Sequence, residues 1–132
     1  MSFYYVGDLC HVLDEGDWDK VCAQLEPIGD DDYDPEVWLD GEGLRTAIMF
    51  PTAYGDGVYT DGDGREYSVD SGTLGAILYE FTDHAKGADA VKRGLGHLIE
   101  FDELDAGECG YDEGLIAFGM MQKNGVEIET GV

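Results

Sequence analysis

The chain has 132 residues, 30 of them acidic and 7 basic, giving a net charge of −23 at neutral pH with 43% hydrophobic and 11% aromatic content. That apolar and aromatic content is enough for one domain over 1–132 with its own core and excludes a disordered acidic tail. The charge excludes direct binding to DNA, RNA or anionic lipid, and no run of about 18 apolar residues is present to span a membrane.

The N-terminus has no basic segment followed by an apolar one, so the expected setting is soluble and cytoplasmic, that of the host cell if the chain is phage-encoded. Phe3 to Val6 has the aromatic and β-branched content of a strand. Trp18, Val21, Cys22 and Leu25 recur at i, i+3, i+4 and i+7 behind an acidic N-terminal stretch, Asp14 to Asp17. This predicts a helix bounded by Pro27. Residues 29–34 read Gly-Asp-Asp-Asp-Tyr-Asp, a run whose carboxylates would lose hydration in a core, so it is expected as a solvated loop or partner-facing edge. Leu44, Thr46, Ile48 and Phe50 alternate with Arg45, Ala47 and Met49 as in a strand, and Pro51 interrupts it.

Val58 to Val69 is predicted as a hairpin with a type I′ turn at Asp63-Gly64. That register pairs Val58 with Val69 and Thr60 with Tyr67, and it sets Asp61 opposite Glu66, which like-charge repulsion disfavours. Leu74 to Phe81 reads as a buried central strand. Asp83 to Gly94 returns to helical spacing, with His84, Ala88, Val91 and Leu95 on one face and Gly87 weakening it by about 1 kcal/mol. His97 to Phe101 is a short strand. Leu115 to Met121 and Val126 to Thr130 flank Asn124-Gly125, a strong hairpin signal. The sum is an α+β domain: a hairpin-rich antiparallel twisted sheet or partial barrel with one or two packed helices, without the βαβ rhythm of a nucleotide-binding fold.

Thr52-Ala53-Tyr54-Gly55-Asp56-Gly57-Val58-Tyr59, continuing to Tyr67-Ser68-Val69-Asp70-Ser71-Gly72-Thr73-Leu74-Gly75, resembles the core of a family of small uncharacterised proteins from bacteria and their phages. The likeness extends to Tyr5-Val6-Gly7-Asp8-Leu9-Cys10, to Trp18 and Val21-Cys22, and to Val126-Glu127-Ile128-Glu129-Thr130. The resemblance implies an intact domain in a bacterial or phage setting and brings no assigned activity.

Motifs for defined chemistry are weak. The Asp-Gly cluster at Gly55-Asp56-Gly57 and Asp61-Gly62-Asp63-Gly64 fails the EF-hand pattern, because Arg65 and Glu66 stand at its fifth and sixth positions. Turn formation accounts for it. The same glycines lack the lysine and hydroxyl of a phosphate loop. His11, His84 and His97 show no HExxH or HxH spacing and are read as structural histidines. Cys10, Cys22 and Cys109 are read as reduced, mostly buried thiols. No catalytic residue, metal or cofactor is assigned, and an enzyme is the less favoured class. Tyr54, Asp56 and Asp70 form the candidate ligand site, against a purely structural turn at Asp56.

The charge carries the functional reading. A compact chain of this length is roughly 36 Å across, and duplex DNA with one charge per ~1.7 Å of axis carries roughly 20 charges over that span. The expected function is therefore an acidic protein-binding inhibitor, with a phage-encoded anti-defence protein of the anti-CRISPR or anti-restriction kind as its expected setting. It would block the groove of a basic nucleic-acid-binding protein by DNA mimicry, as monomer or dimer. The partner-binding candidates are Asp30, Asp31, Asp32, Asp34, Glu36 and Asp40, with Tyr33 and Trp38 as aromatic anchors. Asp61, Asp63 and Glu66 join them if the hairpin lies on the same side. The alternative is a halophile-adapted domain with a ligand-binding or enzymatic role unrelated to its charge. Even coverage by acidic residues favours that alternative, whereas one contiguous face with few cations favours mimicry.

Overall fold

The computed structural model describes residues 2–24, 35–40, 45–112 and 114–130. In chain order the strands are β1 (Ser2–Gly7), β2 (Glu36–Trp38), β3 (Thr46–Pro51), β4 (Gly57–Asp61), β5 (Glu66–Val69), β6 (Thr73–Leu78), β7 (His97–Phe101), β8 (Gly110–Asp112), β9 (Leu115–Phe118) and β10 (Val126–Glu129). The helices are α1 (Glu15–Gln24) and α2 (His84–Lys92). Two five-stranded sheets result, β2-β3-β6-β1-β7 and β5-β4-β10-β9-β8. Every pairing is antiparallel and neither sheet closes into a barrel. This is the α+β, hairpin-rich architecture expected from the sequence.

The layers follow from side-chain alternation, since successive residues of a strand point to opposite faces. In the first sheet Tyr4, Val6, Ile48, Phe50, Ala76, Ile99 and Phe101 face the second sheet and pack with its Tyr67, Val69, Ile116, Phe118, Val126 and Ile128. The intervening Tyr5, Ala47, Met49 and Ile77 face the helices, with Leu9, Leu13, Val21 and Ala90. With both faces covered, the first sheet reads as nearly continuous apolar runs; the second, wet on its outer face, alternates, as in the Val126-Glu127-Ile128-Glu129 pattern of buried and exposed residues.

Close contacts at two glycines set the helical layer: Gly75 lets it settle on the sheet, and Gly87 lets α2 close on the turn that precedes it. A Cβ at Gly75 would stand 2.8 Å from the Ile48 carbonyl and 2.9 Å from Leu9 Cδ1. One at Gly87 would stand 2.7 Å from Thr82 Oγ1. Gly87 thus supplies the close face of α2 that its weak helix propensity concealed.

Several expectations are corrected. The buried face of α2 is Gly87 and Ala90 with half-buried Val91, while His84 and Ala88 are exposed. The Asp83 cap, which accepts from Lys86 N at 3.0 Å, fixes where the helix begins, and packing against Tyr79 and Thr82 rotates the apolar face by one position. The strand expected over Leu74 to Phe81 ends at Leu78, and Tyr79–Phe81 is a 3₁₀ turn. The last hairpin is joined through residues 119–125, because Val126 pairs with Phe118; Asn124-Gly125 lies within a longer connection closed by Gln122 N donating to the Gly119 carbonyl at 2.9 Å. Strands β2 and β8 were not anticipated. Each is three residues long at a sheet edge, too short to show a period.

The β4–β5 hairpin is shifted by one residue from the expected register. Tyr59 pairs with Tyr67 and Thr60 with Glu66, leaving a three-residue loop in which Gly64 has φ +86°, the type I turn plus bulge arrangement. Asp61 decides it: its Oδ1 accepts from Asp63 N at 2.9 Å and Arg65 N at 3.0 Å. The shift also removes the Asp61–Glu66 confrontation and puts Asp61 across from Arg65.

Candidate functional site

The outer face of the second sheet is fixed by the register. Because Tyr67, Val69, Ile116, Phe118, Val126 and Ile128 point inward, Glu66, Thr60, Glu127, Glu129, Leu115 and Asp112 point outward. Pairing runs from Glu66 to Thr60, from Thr60 to Glu129, from Glu129 to Leu115 and from Leu115 to Asp112. Glu66, Glu129 and Asp112 therefore form one row across the sheet, spaced about 9–10 Å apart at two strands each. Glu127 lies one pleat along from Glu129, about 7 Å away. None of the five strands carries a lysine or arginine.

Arg65, from the hairpin loop, lines a pocket with Ala117 and Glu127; the other cations lie farther along the fold. Lys20, Lys86 and Lys92 sit on α1 and α2, and Arg93 caps α2. Arg45 joins the helical layer, donating to Asp17 at 2.8 Å and to the Phe81 carbonyl at 3.0 Å. Arg65 and Lys123 meet at one end of the second sheet, beside a cavity of about 270 Å³ that also includes Asp63 and Asn124.

Asp61, expected to face a partner, is interior: it is 7% exposed. Its Oδ2 accepts from Arg65 Nε and from Tyr67 Oη, both at 2.7 Å. Burial opposes ionisation here, yet the hydrogen bonds from Tyr67 and Arg65 hold the carboxyl below the ordinary carboxylate range. Burial and the bond to Asp61 push the Tyr67 phenol up. Asp63 remains exposed while pairing with Arg65 at 3.1 Å, and Glu66 is exposed.

Glu36, Trp38 and Asp40 belong to a different edge. They lie on or beside β2, at the end of the first sheet remote from β7. The hairpin is instead at the β7 end, where His97 Nε2 donates to the Glu66 carbonyl at 2.8 Å and Ser68 N to the Leu95 carbonyl at 3.1 Å. The two candidate sets therefore do not share one side. Trp38 is half exposed, and its indole donates to Glu36 at 3.0 Å. Asp40 accepts from Arg45 N at 3.1 Å. Asp30, Asp31, Asp32, Tyr33 and Asp34 lie outside the described residues.

Tyr54 and Asp56 are exposed, on a turn where the Gly55 carbonyl accepts from Thr52 Oγ1 at 2.6 Å and Tyr59 Oη at 2.9 Å. The turn is thus closed by Thr52 and Tyr59. Asp70 is engaged with His11, whose Nε2 donates to Asp70 Oδ2 at 2.7 Å.

Sequence reading missed Asp8. It is fully buried, and its carboxylate accepts from Cys10 N at 3.0 Å, Asp70 N at 2.8 Å, and Ser71 N and Oγ at 2.7 and 2.8 Å. It ties the end of β1 to the β5–β6 turn. Only its place between a strand and Leu9 hinted at burial.

All three cysteines are free thiols. Cys109 is buried, Cys10 half-buried and Cys22 exposed, so the expectation of burial fails for Cys22. Helix α1 turns Val21 to the core, while Gln24 reaches over to the Trp38 carbonyl of β2 and Lys20 to the Leu39 carbonyl just beyond it. Burial, then the nearby Asp8 carboxylate, raise the Cys10 thiol; burial pushes Cys109 up to about 11. Neither thiol has the depressed pKa of an activated nucleophile.

No helix among the described residues is long and apolar enough to cross a membrane. No protein-family model, curated protein or solved structure matches the chain.

Proposed function

We propose that this chain is an acidic protein-binding inhibitor that occupies the basic groove of a nucleic-acid-binding protein in place of DNA, in a phage or bacterial anti-defence setting. The observation that carries this reading is the outer face of the second sheet. Glu66, Glu129 and Asp112 in one cross-strand row, with Glu127 beside them, form an acidic patch on strands that carry no lysine or arginine, and its charges stand within about one Debye length of their neighbours. Their fields add. A groove that reserves lysine and arginine for phosphates would be steered to such a face, and the association would weaken with salt.

The test is affinity capture from the native host at low salt, with hits challenged by duplex DNA and by raised salt, repeated with E66Q/D112N/E127Q/E129Q. A basic nucleic-acid-handling protein, displaced by DNA and lost with the variant, is the expected result. Equal capture by the variant, or no DNA-displaceable partner, overturns the reading.

A second reading, adaptation to high salt, draws on the exposed Asp14, Glu15, Asp19, Glu80 and Asp89 of the helical layer, which spread acidity beyond one face. A chain that folds only in molar salt and captures no partner would favour it.

A further inference from the structure

Asp8, Cys10 and His11 form the one group of metal-capable side chains found among the described residues, each offering a ligand atom within 4.8 Å of the others. His11 singles the group out from ordinary surface acidity. Its Nε2 is committed as donor to Asp70 at 2.7 Å, because a carboxylate only accepts. In the tautomer that carries its one proton on Nε2, Nδ1 presents a lone pair. That atom is buried and has no hydrogen-bond partner among the described residues, and the side chain is 12% exposed. A histidine whose outer N–H is held by a carboxylate while its other nitrogen is left open is the arrangement that orients zinc-binding histidines.

We propose that Asp8, Cys10 and His11 bind a borderline transition-metal ion of the zinc class, with Asp70 as the positioning residue behind His11. Thiolate, imidazole and carboxylate together suit Zn²⁺ and disfavour Ca²⁺ and Mg²⁺, which take oxygen ligands. Cys10 Sγ and an Asp8 carboxylate oxygen lie within 4.8 Å of each other, and the ion replaces the thiol proton of Cys10. That proton leaves to solvent on binding. Asp8 accepts four hydrogen bonds, and one of them can be released: Ser71 Oγ lies 2.8 Å from both Asp8 Oδ1 and Thr73 Oγ1, so its hydroxyl can turn to Thr73 and free a lone pair. Lys86, the nearby cation, is held by the Leu13 carbonyl at 2.5 Å and reaches the Cys10 carbonyl at 3.5 Å. Solvent takes the fourth position of a tetrahedral site. This site lies at the junction of β1 with the helical layer and is independent of the acidic sheet face.

Titration of the whole chain with Co²⁺, followed by thiolate-to-cobalt absorption in the near ultraviolet and by displacement with Zn²⁺, tests the assignment. Excess Mg²⁺ suppresses binding to scattered carboxylates, which give no such band. The expected result is a saturable one-equivalent band, lost in Cys10→Ser, kept in Cys22→Ser, and weakened roughly 10–100-fold in Asp70→Asn, as for other residues that support a ligating histidine. His11→Gln should weaken it at least tenfold, and Zn²⁺ should raise the melting temperature of the wild type but not of Cys10→Ser. The melting curve of each variant without metal shows whether it folds. No band in the wild type, or a band that survives Cys10→Ser or persists at full affinity in His11→Gln, overturns the proposal.

Discussion

The Tyr67 hydroxyl donates to Asp61 Oδ2 across 2.7 Å, joining an inward-facing phenol of β5 to the carboxylate that also organises the hairpin loop and pairs with Arg65. Deleting that carboxylate leaves Tyr67, Arg65 and two loop N–H groups without their acceptor. Asp61→Ala is expected to cost about 3 kcal/mol, and Tyr67→Phe about 1 kcal/mol, in urea unfolding. A loss below the scatter of surface substitutions for both would refute the structural role.

The same carboxylate shapes acid stability. Its folded-state pKa lies below the ordinary value, so the unfolded chain binds the extra proton. Its contribution is complete above the unfolded value of about 3.9 and fades as pH falls through the lower folded value. Asp61→Asn should therefore be destabilised near neutrality, and its stability gap to the wild type should narrow as pH drops below about 4. A gap that stays constant in that range would remove the linkage.

Asp8 is predicted to be the most sensitive acidic position outside the hairpin. Asp8→Ala strands the Cys10, Asp70 and Ser71 amides, and a loss of about 3 kcal/mol or more follows from unmet donors at a buried site. Asp8→Asn keeps acceptor capacity on one oxygen and should lose less. Equal losses for the two would mean that packing, not hydrogen bonding, is what Asp8 supplies.

Gln24 caps the outer edge of β2. Its amide accepts from Trp38 N at 2.7 Å and donates to the Trp38 carbonyl at 2.5 Å, as a neighbouring strand would. Gln24→Ala should cost about 1 kcal/mol and speed hydrogen exchange at the Trp38 amide at least several-fold. Unchanged exchange there would show that the cap does not protect the edge.

On the acidic face, E66Q/D112N/E127Q/E129Q should stabilise the fold in low salt by about 1 kcal/mol, because like charges across a sheet repel. Thermal melting should rise by about 3–5 °C, and the difference should vanish in molar salt as screening replaces neutralisation. A fall in melting temperature would mean these carboxylates make net stabilising contacts.

How far local pattern reached is clearest in the hairpins. Val126 to Glu129 has a two-residue period that reports one buried face, and that reading matches the structure. In the β4–β5 hairpin, Asp63-Gly64 did mark the turn, but loop length was decided by the Asp61 side chain bonding to Asp63 N and Arg65 N, a choice that residue type alone leaves open between two- and three-residue loops. Helix α2 shows the same division. Its existence followed from helical spacing, whereas its start at the Asp83 cap and its buried side, where Gly87 approaches Thr82 and Tyr79, depended on the structure.

The sequence by itself determined the quantities that sum over residues: the charge of −23, the supply of apolar residues for a core, and the alternation that makes strands of one class and helices of another. Tertiary structure alone decided where those charges stand. Asp8 meets Asp70 and Ser71 across 62 and 63 residues of chain, and Glu66, Glu129 and Asp112 align only because β5, β4, β10, β9 and β8 pair in that order. Composition and periodicity describe each segment against its immediate neighbours, while burial, ion pairing and the sharing of a face are set by pairings between segments remote in the chain.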